Sequence, residues 1–333
     1  MHRLLIIRGG AVGDFILTLP ALGALRQTFG QAHIEVMGRP SRAILAKHPH
    51  YANQITDIEG WDIYRLFSRR AVISERLAAY LGAFDLIIAY LPASAAGFGD
   101  RLRQFHSGLV VTWSPEPAVG VHATDHLLRP IRDLDHRPYD PTPQVHLTSE
   151  AIATAEQFWR QANLPGSGVL AFHPGSGGTR KLWPIDGWQR VMTWAAQQDI
   201  PCIVINGPAE QEQVNQLLRQ THLPAWPCTG QLSLPCLAAI IARCRLLLGH
   251  DSGITHLAAA VGTHTLALFG PTDPWSWGPR SPHACILQPQ HVEPLNLANL
   301  PPATVIHTLE AMWRGTFDFT PSHLGFTIRQ PSN

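Results

Sequence analysis

Lysine is almost missing from this 333-residue chain. Lys47 and Lys181 are the two lysines within a combined total of 25 lysines and arginines. Arginine is the default cation, so a lysine beside a functional motif carries information. Charge of either sign is also sparse. Charged residues make up 15% of the chain, and 25 basic against 24 acidic side chains leave a formal net charge of +1. Such a balance offers no electrostatic footprint for a polyanion, and no nucleic-acid partner is expected. Cysteine is scarce and unpatterned. Cys202, Cys228, Cys236, Cys244 and Cys285 form no Cys-x-x-Cys pair. An odd number without metal spacing points to reduced thiols in a cytoplasmic protein, and to no structural zinc held by them. Long apolar runs are lacking too. Leu4-Leu-Ile-Ile7 is cut off by Arg8, which makes it too short for a signal-peptide core. No stretch of about 18 apolar residues would span a bilayer, so no transmembrane helix is expected.

What the chain does contain is an alternation of short aliphatic runs and longer amphipathic stretches, the pattern of parallel strands joined by helices. Strands are predicted at Leu4–Arg8, Ile34–Met37, Gln54–Ile58, Leu86–Ala89 and Leu109–Thr112. In the second half they are predicted at Val169–His173, Cys202–Asn206, Leu246–Gly249, Thr265–Phe269 and Cys285–Leu287. Helical spacing runs through Asp14–Thr28, where Pro20 signals a kink or a late start. Further helices are predicted at Ser149–Ala162, Ile185–Gln197, Ala209–Thr221, Leu234–Arg243, Ile254–Val261 and Thr304–Trp313. Arg137-Pro-Tyr-Asp-Pro-Thr-Pro143, with three prolines in seven residues, reads as a linker. The expectation is an N-terminal domain over 1–143, a C-terminal domain over 144–319 and a tail over 320–333. Both domains would be doubly wound α/β units facing each other across a cleft.

Two loops of the second half have the chemistry of phosphate cradles. Asp251-Ser-Gly-Ile-Thr-His256 follows an apolar strand and opens a small-residue helix. Unpaired N–H groups at Ser252, Gly253 and Ile254 and the helix dipole converge there, with Asp251 read as the helix cap and Thr255 alongside. Leu170-Ala-Phe-His173 runs into Pro174-Gly-Ser-Gly-Gly178-Thr179. Ser176, Gly177, Gly178 and Thr179 offer N–H groups and hydroxyls to phosphate oxygens, and Lys181 follows closely. Two cradles suggest a nucleotide diphosphate. The first-half loop Gly9-Gly-Ala-Val-Gly13-Asp14 does not match Gly-x-Gly-x-x-Gly, which argues against a nicotinamide dehydrogenase.

These pieces, in this order, resemble glycosyltransferase family nine, the ADP-heptose:lipopolysaccharide heptosyltransferases. The resemblance is carried by Leu4–Arg8, Gly13-Asp14 and Leu19-Pro20-Ala-Leu22. It continues through His173–Gly178, Lys181-Leu-Trp-Pro184, Gly207-Pro-Ala-Glu210-Gln-Glu212, Asp251–Ala260 and Ala267-Leu-Phe-Gly-Pro-Thr272. It implies the GT-B fold of two Rossmann-like domains, and an inverting, metal-independent transfer with no cofactor. The donor is a nucleotide-diphosphate sugar, ADP-heptose foremost. The acceptor is a lipid-linked core oligosaccharide at the membrane surface, reached from the cytoplasm.

The resemblance also implies roles. Asp14 would be the general base that takes the acceptor hydroxyl's proton, while the residues alone also allow it to be a helix cap. Lys181 would offset charge on the leaving diphosphate, with Arg180 as its understudy. His256 would lie by the donor. Glu210 or Glu212 would hold the nucleoside, and the two are not distinguished. Arg65, Arg69 and Arg70, with Arg39, Arg42 and Arg76 nearby, would meet acidic groups of the acceptor. Asp133-Leu-Asp135 has the spacing of a metal motif from another transferase architecture, but it falls near the linker and reads as coincidence. Two rival readings remain: a nucleotide-sugar epimerase of the same architecture, and a non-catalytic nucleotide-sugar-binding protein.

Overall fold

The computed structural model describes residues 1–68, 70–207, 217, 225–229, 232–289, 295–317 and 326–329, with backbone alone at 93, 96, 225–229 and 326–329. The helix expected over 209–221, Glu210, Glu212 and Arg69 lie outside the described residues. The chain separates into two compact units, Met1–His146 and Leu147–Asn333.

The N-terminal unit is built on five parallel strands: β1 (Arg3–Arg8), β2 (His33–Gly38), β3 (Gln54–Asp57), β4 (Leu86–Tyr90) and β5 (Leu109–Trp113). Their order across the sheet is β3-β2-β1-β4-β5. The central strand carries Leu4, Leu5, Ile6 and Ile7, each no more than 1% exposed. A strand buried on both faces needs this unbroken aliphatic run, and each such side chain contributes about 1.5–3 kcal/mol. The single helix expected over Asp14–Thr28 is two, Val12–Ile16 and Leu19–Thr28. Pro20, the second residue of the later helix, has no N–H to give to the Ile16 carbonyl. The break therefore falls just before it.

Helices Glu75–Gly82, Ala96–Arg103 and Ala123–Asp135 were not expected from the sequence. The last contains Pro130, and a proline inside a polar stretch hides a helix from pattern reading. Asp133 and Asp135 lie on this helix. Asp135 accepts hydrogen bonds from the hydroxyls of Thr28 (2.9 Å) and Tyr139.

The C-terminal unit holds a seven-stranded sheet. Its strands are β6 (Leu170–His173), β7 (Cys202–Asn206), β8 (Ala225–Thr229), β9 (Leu246–His250), β10 (His264–Leu268), β11 (Ala284–Pro289) and β12 (Phe326–Arg329). The order is β12-β11-β10-β9-β6-β7-β8, parallel except for β12, which runs antiparallel to β11. β12 lies in the segment read as a tail. Its core is an apolar cluster under helices Ile185–Gln197 and Pro302–Arg314, centred on Phe172, Trp188, Leu248 and Leu268. Helices Ser149–Gln161, Leu234–Ala242 and Gly253–Ala260 complete the layers.

Each sheet reverses its order at one place. In the first, β1 lies between β2 and β4; in the second, β6 lies between β7 and β9. Chains leaving adjacent strands to opposite sides at such a point open a crevice beyond the carboxyl ends. The loop Gly9–Ala11 leaves β1 at its crevice. The loops Pro174–Gly178 and Asp251–Ser252 leave β6 and β9 at the other. His173 is in register with Gly249, so these two loops start side by side.

Candidate active site

Two separate constellations emerge, one in each unit. In the C-terminal unit the loops after β6 and β9 are tied together by polar contacts. Ser176 Oγ donates to the Asp251 carbonyl (3.0 Å). Lys181 Nζ donates to Asp251 Oδ2 at 2.5 Å. The aspartate side chain is 8% exposed and the lysine 35%, so this pair is largely shielded from water. Such an ion pair fixes where the ammonium sits. It also corrects one expectation: Asp251 does not cap the helix. Ser252 is the cap, and its Oγ accepts from Thr255 N–H at 3.4 Å. The Thr255 hydroxyl turns back to donate to the His250 carbonyl (2.5 Å). A Cβ on Gly249 would come within 2.6 Å of that hydroxyl oxygen, which is why the strand ends with glycine there.

Two histidines to which the sequence reading gave no role hold this arrangement from beneath. His250 is wholly buried, and its Nε2 accepts from the Trp183 N–H at 2.8 Å. Its Nδ1 faces the Gly175 carbonyl at 3.3 Å. Trp188 meets the His250 ring edge-on at 5.1 Å. His173 Nδ1 lies 3.2 Å from Ser252 Oγ. Burial pushes the imidazole of His173 down to about 3, helped by the nearby His250, and burial alone pushes His250 down to about 4. Both are neutral at physiological pH and act as hydrogen-bonding spacers between the loops. Their signal in the sequence was a histidine at the end of each of two adjacent strands.

Above these spacers the surface is open. Gly177 and Thr179 are exposed and Ser176 and Gly178 half-exposed. A Cβ on Gly177 or Gly178 would meet nothing within 4 Å. The first turn of helix Gly253–Ala260 faces the same crevice end, with Ser252, Gly253 and Ile254 half-exposed. His256 is buried one turn in, at 6% exposure. Asn206, at the end of neighbouring β7, is buried, and its Oδ1 has no partner among the described residues. The crevice thus offers a lysine, two hydroxyl-bearing loops and a helix N-terminus within one polar network.

The N-terminal constellation is simpler. Asp14 is the third residue of helix Val12–Ile16 and is half-buried. Its Oδ2 accepts from the Ala11 N–H at 2.8 Å, so it does cap the helix start. Oδ1 makes no hydrogen bond among the described residues. Gly10 has φ +98°, and a Cβ there would press within 2.9 Å of the Asp14 Cβ. Only glycine lets the backbone turn this close to the carboxylate. Beneath lies Arg8, 4% exposed, another residue whose role pattern reading missed. It donates through Nη2 to the Asp14 carbonyl (3.1 Å) and through Nε to Thr18 Oγ1 (2.9 Å). Thr18 in turn donates to the same carbonyl at 2.8 Å. Burial lowers the Arg8 pKa and the Asp14 charge opposes that shift. A buried cation therefore sits under the carboxylate and anchors its helix.

The arginine group does not converge on Asp14 as a set. Arg65 pairs with Asp62 at 3.2 Å and donates to the Val72 carbonyl. Arg76 covers the Trp61 ring at 4.6 Å, and Arg39 pairs with Glu59 at 3.2 Å. Arg42 donates to the Gly10 carbonyl and so braces the Asp14 loop. Arg70 is exposed.

The family model "Glycosyltransferase family 9 (heptosyltransferase)" matches residues 96–296. Lipopolysaccharide core heptosyltransferase OpsX of Haemophilus influenzae is 24% identical over 83% of this chain and 81% of its own. Lipopolysaccharide heptosyltransferase 2 of Escherichia coli is 25% identical over 86% of this chain and 88% of its own. Among solved structures, the glycosyl transferase family 9 protein of Veillonella parvula superposes with a TM-score of 0.79 at 21% identity, over 94% and 97% of the two chains. The shared fold is the pair of Rossmann-like units of the GT-B glycosyltransferases. The chain described here belongs to glycosyltransferase family 9, the heptosyltransferase family.

Proposed function

We propose that this glycosyltransferase moves a heptose from ADP-heptose to a lipopolysaccharide core acceptor, in a single inverting displacement that needs no metal. The polar crevice after β6 and β9 carries this reading. An ADP diphosphate needs N–H donors, hydroxyls and a fixed cation. Ser176–Thr179, Ser252–Ile254 and Lys181 supply all three. Thr255 and His256 support the helix that presents them. Asp251 holds Lys181 until the phosphate oxygens compete for the ammonium. Glu210 or Glu212, beyond the carboxyl end of β7, would take the ribose hydroxyls.

The acceptor hydroxyl oxygen bonds to the anomeric carbon as the bond from that carbon to the β-phosphate oxygen breaks. The bonding pair leaves with ADP, and the hydroxyl proton passes to Asp14 Oδ1. Arg8, tied to the Asp14 backbone, holds the helix turn that presents the carboxylate. The chemistry also requires water to be excluded as the bond forms.

The acceptor is borne on lipid A. No helix among the described residues is long and apolar enough to cross a membrane. Tyr64, Phe67 and Val72 are 64%, 53% and 78% exposed beside Arg65 and Arg70. Apolar tips among arginines suit an anionic membrane surface, which supports peripheral work at the cytoplasmic face, with Arg65, Arg69 and Arg70 toward the acceptor's acidic groups.

The test is ADP release from ADP-heptose with and without a heptose-accepting core fragment. The expected result is release that depends on both, with an inverted glycosidic product. Release without acceptor, or a donor isomerised in its absence, would contradict the reading.

A further inference from the structure

Three histidines that take no part in the transfer chemistry converge within the N-terminal unit. His48 and His50 lie in the turn that follows the short 3-10 helix Ile44–Ala46. His146 lies about a hundred residues further along, at the end of the extended stretch that leaves helix Ala123–Asp135. Their ring centroids are 4.9, 4.6 and 4.3 Å apart, and the rings are within 9°, 16° and 21° of parallel. His48 Nδ1 and His50 Nδ1 are 3.0 Å apart. One ring nitrogen from each residue falls within 4.8 Å of the others.

Stacking accounts for part of this approach, but two Nδ1 atoms 3.0 Å apart need a proton or a cation between their lone pairs. The backbone brings them together independently of any such ion. The Tyr51 hydroxyl donates to the Gln144 carbonyl at 2.7 Å, and the Tyr51 N–H to the His48 carbonyl at 2.8 Å. The two segments are therefore held in place before anything binds. Beside the rings is a cavity of ≈ 260 Å³ lined by His50, His146, Asp140 and Thr142, among others. It has room for solvent or an anionic ligand.

We propose that His48, His50 and His146 bind one divalent transition-metal ion, with solvent from the adjoining cavity in the fourth position. Three imidazoles and an open place form a donor set suited to Zn²⁺. Zinc–nitrogen bonds of about 2.0–2.1 Å in a tetrahedron set neighbouring nitrogens about 3.4 Å apart. The observed nitrogens lie within 4.8 Å of one another, so binding would draw the rings closer. The ion would clamp residues 140–146, through which the chain leaves the N-terminal unit, to the turn at 48–51. Its role is structural and separate from sugar transfer.

The test is titration of the full-length, metal-stripped protein with Zn²⁺ against a chromophoric chelator. One ion per chain is expected, with a raised thermal midpoint. X-ray absorption should report three nitrogen neighbours at about 2.0–2.1 Å. Loss of an outer-sphere partner costs a metal site about 10–100-fold, so His50→Gln and His146→Gln should each weaken binding by more than about 100-fold. His264→Gln, which removes one ring of the His264–His283 pair, should leave binding unchanged. His50 is exposed, so its substitution is tolerated by the fold and decides the matter if His146→Gln proves unstable. No stoichiometric zinc in the wild type, or full affinity retained in His50→Gln, would overturn the proposal.

Discussion

The two Rossmann-like units place their functional loops at the same topological position and equip them differently. At the β6/β9 reversal, the loop side chains bind each other: Lys181 to Asp251, Ser176 to the Asp251 backbone, Ser252 to His173, His250 to Trp183. At the β1/β4 reversal a single carboxylate rides on a short helix above a buried arginine, and one of its oxygens is uncommitted among the described residues. The first design suits holding a highly charged ligand, because the donors are fixed before it arrives and little reorganisation is needed. The second suits proton transfer, because one oxygen must remain available. On this proposal, binding and chemistry are divided between loops at equivalent places in the two sheets.

Several substitutions test this division. The largest effect is expected from Asp14→Asn. The amide can still accept from the Ala11 N–H, so the helix start survives, but it cannot take a proton. Turnover should fall by about 10²–10⁴-fold, while ADP affinity, measured by calorimetry, stays within about twofold. A parallel loss of ADP affinity would merge the two roles and break the comparison.

A second expected difference is acid sensitivity of the C-terminal unit. His173 and His250 have folded-state values of about 3 and about 4, below the ordinary 6.5 of the unfolded chain. Below about pH 6.5 the unfolded state binds protons that the folded state refuses. The stability these residues contribute is therefore fully present above that pH. It declines as pH falls toward 4, by up to about 1.4 kcal/mol per pH unit for each histidine. Urea unfolding followed through tryptophan emission between pH 4 and 7 should show the decline. His250→Gln should flatten it, and an unchanged slope would assign the acid sensitivity to other groups.

Lys181→Met should come next. A charged hydrogen bond is worth about 1.5–3 kcal/mol, so ADP should bind about 10–100-fold more weakly, with a smaller change for AMP. Equal losses for ADP and AMP would place the lysine away from the β-phosphate. The smallest effect is expected from Ser252→Ala, which removes the cap on Thr255 N–H and should cost about 1 kcal/mol of stability in chemical denaturation.

The comparison also shows what a linear reading can find. The strands β1, β6, β9 and β10 were legible because burial on both faces demands aliphatic runs. The two loops after β6 and β9 were legible because a strand ending in glycines and serines before a helix has few other uses. Asp251 was misread as a cap because its true partner, Lys181, is 70 residues away, and a local pattern cannot register that contact. Ser252, one position on, had the same capping chemistry and the right backbone. The supporting roles of His173, His250 and Arg8 were missed for a related reason. Each is a polar residue at the end of an apolar strand, and only burial shows that it supports a loop. The helix Ala123–Asp135 was masked by Pro130. The three clustered histidines come from a turn and an extended stretch that no periodicity connects.

The most direct test of the account is a crystal structure of the full-length protein with ADP. The account predicts diphosphate oxygens within hydrogen-bonding distance of the Ser176–Thr179 loop, the Ser252–Ile254 N–H groups and Lys181 Nζ, with that ammonium drawn from Asp251. A diphosphate bound over Gly9–Asp14 instead would contradict it.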